Sequence, residues 1–128
     1  MFRFYIILLS FFISYSAFSA QLVETIAKIK PSVVGIGVYT PTGKPRNKLQ
    51  GSGFVVGNGQ YVVTNHHVVP EMLDENLLQS LVVFVGSGKA AKVRKATLLD
   101  SSKRYDLAIL KIEGKPLPAM QLADEPLY

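Results

Sequence analysis

Two residues of this 128-residue chain combine the right type with a telling position: His67, just past an apolar run, and Asp106, just ahead of another. A carboxylate that fixes an imidazole in one tautomer and one orientation makes it a general base. Taken singly, neither residue specifies that chemistry. A histidine after a strand is more often structural, and an aspartate opening a strand is more often a turn residue. His66, next to His67, raises metal binding as a second chemistry. Neighbouring strand residues point to opposite faces and no third or fourth ligand is evident, so joint chelation is disfavoured and no metal or cofactor is expected. The absence of cysteine excludes a disulfide framework and a thiolate metal site.

The elements that must position these residues are short and β-rich. Phe54 to Val56 and Tyr61 to Val63 flank Asn58-Gly59, a dipeptide suited to a two-residue turn with both central residues at positive φ. The register this implies sets Val56 opposite Tyr61 and Phe54 opposite Val63, and the second strand runs out at Thr64-Asn65-His66-His67. Upstream, Leu22, Ile26 and Ile29 fall at helical spacing before Pro31, so a short amphipathic helix precedes the sheet. Ser32 to Tyr39 reads as the first strand, its two glycines leaving room for another backbone. Thr40 to Gln50, with two prolines and no apolar periodicity, reads as an exposed loop.

Downstream, Glu71 to Gln79 is a helical or irregular link, Leu81 to Val85 a further strand, and Gly86-Ser87-Gly88 a turn. Lys89 to Leu99 changes parity between Val93 and Ala96, which a bulge would repair. Asp100 to Arg104 is a polar loop. Asp106 to Ile112 is the last strand, apolar on both parities except for Lys111, and therefore central or barrel-closing. Six strands joined by short turns, without crossover helices, predict an all-β antiparallel barrel or sandwich.

Residues 1–19 differ in kind. Arg3, the apolar run Phe4 to Ile13 and the small-residue stretch ending Ala17-Phe18-Ser19 read as a signal peptide cleaved before Ala20, with cleavage before Gln21 as the alternative. The run is well short of the roughly 20 residues that span a bilayer, so no stable membrane anchor is expected after cleavage. The formal charge of +5 is spread over small scattered groups of basic residues, without a reading helix or interleaved aromatics. This describes a solvated basic surface better than a nucleic-acid footprint.

Thr64-Asn65-His66-His67-Val68-Val69 and Asp106-Leu107-Ala108-Ile109-Leu110-Lys111-Ile112 resemble the histidine and aspartate motifs of trypsin-like serine endopeptidases of the HtrA/Deg type. Lys30-Pro31-Ser32-Val33-Val34, Gly51-Ser52-Gly53-Phe54 and the turn at Gly86-Ser87-Gly88 follow the family in order and at similar spacing, so the resemblance covers nearly all of 20–128. It implies that this segment is the first, six-stranded antiparallel barrel of a double-barrel fold. His67 would be the base, Asp106 its orienting acid, and His66 would occupy a variable position.

The resemblance also implies a nucleophilic serine and an oxyanion hole in a second barrel, and Ser52 and Ser87 do not match the nucleophile motif. The chain alone is therefore expected to be inactive. Exported protein quality control, in the periplasm or outside the cell, follows from the same resemblance, with unfolded or misfolded polypeptides as substrates and homo-oligomers allowed in the full-length form. The contrasting reading is an exported barrel that binds without catalysing.

Overall fold

The computed structural model describes residues 19–71, 73–86 and 88–124. The signal peptide expected over residues 1–19 thus falls, except for Ser19, outside the described residues. Residues 19–29 are helical and belong to a unit separate from the one that begins at Pro31. Thr25 Oγ1 donates to the Gln21 carbonyl one turn back, at 2.9 Å. Pro31 does not lie beyond a clean helix end but inside a 3-10 turn, Lys30–Ser32. Among the described residues no helix is long and apolar enough to cross a membrane.

From Pro31 onward six antiparallel strands follow: β1 (Val33–Tyr39), β2 (Asn47–Val56), β3 (Tyr61–Thr64), β4 (Ser80–Val85), β5 (Lys92–Ser102) and β6 (Leu107–Ile112). They close into a barrel in the order β1-β2-β3-β6-β5-β4. Closure gives every strand two strand neighbours, although the long strands β2 and β5 pair with their second neighbour over only part of their length. The inward positions are β-branched or leucine with the exception of Ala108: Val34, Ile36, Val55, Val62, Val69, Leu81, Val83, Ala108, Leu110 and Ile112 form one buried cluster. Burying a side chain of this size is worth roughly 1.5–3 kcal/mol, so the interior is the main source of stability.

The β2–β3 hairpin has the expected register, Val56 opposite Tyr61 and Phe54 opposite Val63, but not the expected turn. Positive φ falls on Gly57 and Gly59, at 65° and 91°, and not on Asn58. The Gly59 N–H donates to the Val56 carbonyl, and Asn58 Oδ1 accepts from the Gln60 N–H. The chain that follows β6 lies against this turn. That tail runs back along the hairpin, with Leu117 N–H on the Gly59 carbonyl at 2.9 Å and Met120 N–H on the Val55 carbonyl at 2.7 Å. A Cβ on Gly59 would collide with the Leu117 carbonyl. Arg94 pins the start of the tail by donating to the carbonyls of Glu113 and Lys115.

Three other expectations are corrected. The loop expected over Thr40 to Gln50 gives its last four residues to β2, where Leu49, Lys48 and Asn47 pair with Gly37, Val38 and Tyr39. These residues are exposed, so backbone pairing places them in the sheet without any apolar alternation in their side chains. The polar segment from Asp100 likewise continues β5 to Ser102, and the bulge falls at Leu99, between Leu98 and Asp100, instead of between Val93 and Ala96. The glycines of β1 do leave room for another backbone at Gly37, where a Cβ would collide with the Lys48 carbonyl, and they also admit the Phe84 ring beside both Gly35 and Gly37.

The outer face of the barrel carries a continuous apolar row. Val33 pairs with Phe54, Phe54 with Val63 and Val63 with Ile109, all on the side opposite the core. Leu107, two residues before Ile109 on β6, extends it, and both are at least 40% exposed. This explains why β6 is apolar on both parities: one face packs inward and the other belongs to the belt.

Candidate active site

The site is built where β3 ends and β6 begins. Thr64, the last residue of β3, is buried, and its hydroxyl donates to the Ser52 carbonyl of β2 at 2.7 Å. That bond satisfies a buried hydroxyl and fixes the strand end. The chain then leaves the sheet in a single 3-10 turn, His66–Val68. Gly51 of β2 lets this turn approach, since a Cβ there would sit 2.8 Å from both methyl carbons of Val68. His67 is therefore held by a turn packed on β2, and not by a free loop.

Asp106 arrives from the other side. It closes the turn after β5, with its N–H 3.3 Å from the Lys103 carbonyl, and has a left-handed backbone with φ of 50°. Few L-residues adopt that region, and aspartate is among those that tolerate it. From there its carboxylate makes two bonds to one residue: Oδ1 accepts the His67 backbone N–H at 2.9 Å, and Oδ2 lies 2.6 Å from His67 Nδ1. The two candidate residues, 39 positions apart, are thus brought together. The His67 backbone N–H, and after it the His67 ring, stabilise the ionised carboxylate and lower the Asp106 pKa below the ordinary 3.8.

The other residues singled out in the sequence lie elsewhere. His66 and His67 are not strand neighbours as expected, since both lie in the 3-10 turn. The ring of His66 faces Glu71 at 3.6 Å, beyond a good hydrogen bond, while His67 engages Asp106. Among the described residues no group of three or more metal-ligating side chains occurs. Ser52 lies exposed within β2, and Ser87 lies outside the described residues. Sequence reasoning missed Asn65, whose side-chain amide donates to the Asp106 carbonyl at 2.9 Å. Its place in the motif Thr64 to Val69, two residues before His67, was the available signal, and it carried no role for the side chain.

With a histidine turn and an aspartate turn facing each other at one end of a six-stranded barrel, comparison with known proteins becomes informative. Residues 51–128 match the family described as trypsin-like peptidase domain. A protein of Pseudomonas putida named a probable periplasmic serine endoprotease, DegP-like, is 36% identical over 87 residues, which are 66% of this chain and 16% of that protein. A protein of Chlamydia muridarum with the same name is 33% identical over 78 residues, covering 61% of this chain and 14% of its own length.

Among solved structures, the Rv3671c protease of M. tuberculosis in its active form aligns with a TM-score of 0.59 at 31% identity, over 80% of this chain and 40% of that one. The serine endoprotease of Yersinia pestis aligns with a TM-score of 0.55 at 26% identity, over 77% and 31%. The chain therefore spans about one sixth of the length of the curated relatives it matches. The family match itself runs through more than half of the chain, and the protein belongs to the trypsin-like peptidase domain family.

Proposed function

We propose that this chain supplies the base-bearing part of a serine-type endopeptidase of the HtrA/DegP kind, with His67 as general base and Asp106 as its orienting acid. The observation that carries the reading is the double engagement of Asp106 with His67, at 2.9 Å through the backbone and 2.6 Å through the ring. A carboxylate on Nδ1 keeps the proton there and leaves the Nε2 lone pair to accept one from a nucleophile. The second bond, to the backbone, fixes the relative orientation that a ring–carboxylate contact alone would leave free to rotate.

The same geometry argues that the described residues are not a finished catalyst. The side chain of His67 is 70% exposed and that of Asp106 42%. Charges interact about fourfold more weakly in bulk water than at the effective dielectric typical of a protein surface. Preorganised donors act on a developing charge only where water is excluded. A covering body would supply that exclusion together with a serine nucleophile and an oxyanion hole, and the apolar belt on β1, β2, β3 and β6 is a surface suited to such a body. Substrates would be unfolded or misfolded polypeptides, and the periplasmic names of the relatives support export.

The test begins with the gene, read through and past the codon for Tyr128. An open frame reaching a Gly-x-Ser-Gly-Gly loop supports the reading, and in that longer product His67→Ala should lower kcat by about 10⁴-fold or more. A stop directly after that codon, with the short product persisting in cells, would refute it. Residues 20–128 alone should not cleave an unstructured protein, and cleavage that His67→Ala abolishes would overturn this part.

A further inference from the structure

We propose that Asn65 is a positioning residue, its side-chain amide holding Asp106 in the left-handed backbone conformation from which one carboxylate reaches both the ring and the backbone N–H of His67. This rests on the reading of His67 as the base, and extends it to a residue whose side chain bonds the backbone of Asp106.

Asparagine is among the residues favoured to cap the start of a helical turn with its own side chain. Asn65 stands at that place before His66–Val68, in extended conformation with φ of −84° and ψ of 146°, yet makes no side-chain cap bond. The amide instead reaches across 41 positions to donate to the Asp106 carbonyl at 2.9 Å. Asp106 is one of two non-glycine residues with positive φ among the described residues. Its peptide is held at two points, the N–H on the Lys103 carbonyl and the carbonyl on Asn65, with the carboxylate engaged beyond them. If the carbonyl is released, φ can relax toward the common negative region, which rotates the carboxylate relative to the turn that carries His67.

The arrangement is also directional along the chain. Thr64 bonds back to β2, Asn65 forward to the backbone of Asp106, and His67 to its side chain. Three nearby residues leaving β3 thus bring β2 and the Asp106 turn into one frame. Asn65 is exposed, and an exposed hydrogen bond contributes little to global stability because water replaces it. The effect of losing it should therefore appear in the geometry of the pair and not in the melting temperature.

The full 128-residue chain, labelled with ¹⁵N and ¹³C, allows this to be read by NMR without any turnover. In the parent chain the neutral His67 ring should carry its proton on Nδ1, and the Asp106 carboxyl should titrate below 3.8. In Asn65→Ala, and in Asn65→Leu, which keeps the side-chain shape without a donor, two changes are expected together. The ring ¹⁵N shifts should move toward a mixture of tautomers, and the Asp106 midpoint should rise toward 3.8, with the melting temperature little changed. A folded variant whose ring shifts and Asp106 midpoint superimpose on the parent overturns the proposal. Loss of the fold by both variants also overturns it, because Asn65 would then be a stability residue. Failure of the peptidase reading would appear separately, as absence of serine-dependent cleavage in a longer product, with these spectra unaffected.

Discussion

A single aspartate sets the acid behaviour of the site. Its carboxylate is stabilised in the ionised form by the His67 backbone N–H and then by the ring, so its folded pKa lies below the unfolded value. A group depressed in this way adds stability that is present above the unfolded pKa and is lost as pH falls through the folded one. The window therefore opens near 3.8 and extends downward. Asp106→Asn should flatten the loss of stability below that pH while leaving the neutral-pH fold nearly intact, which chemical denaturation at a series of pH values would measure. Identical acid limbs for variant and parent would show that the two bonds to His67 do not persist in solution. The residue identities of the pair were legible in the sequence, because a motif preserves them. The left-handed backbone of Asp106 and the amide of Asn65 were not, since both depend on a contact across 41 positions.

At the scale of elements, apolar alternation could be read only where it existed. The β2–β3 register follows from two apolar runs flanking Asn58-Gly59, and the structure has it as expected; β6, apolar on both parities, shows its inward face only in the structure. Residues Asn47 to Gln50 and Asp100 to Ser102 are strands with exposed or polar side chains, so only their backbone pairing reveals them. Gly51 belongs to the same hidden class, since its meaning is the turn His66–Val68 lying on it. Gly51→Ala would place a methyl group 2.8 Å from two Val68 carbons, and valine has little freedom to move its methyls aside. The turn should shift, at a cost of about 1–3 kcal/mol, the usual range for overpacking. Val68→Ala in the same chain should recover most of that loss, a coupling that a double-mutant cycle by thermal melting would quantify. Additive effects of the two substitutions would mean that the contact does not set the position of the turn.

The barrel has a closed apolar interior and an apolar row on its outer face. Among the described residues ten buried side chains form the core, while Val33, Phe54, Val63 and Ile109 line up across four strands on the outside, flanked by Leu107. The belt consists of side chains on the outer face of the sheet, so it can bury itself only by packing side chain on side chain, against another body or another copy. The 128-residue chain should therefore associate at tens of micromolar and above, an order-of-magnitude figure for weak burial of such patches. Ile109→Lys tests the cause at one position. It places a charge at the β6 end of the belt, beside Val63 and directly opposite Asp100 on β5, so the cross-strand pair offsets the lost apolar contact. Its effect on stability should stay within about 0.5 kcal/mol, as for most surface substitutions, while sedimentation velocity shifts toward monomer. A parent chain that is monomeric at those concentrations, or association unchanged by Ile109→Lys, would show that the belt is not an adhesive surface and would weaken the case for a covering body over the His67–Asp106 pair.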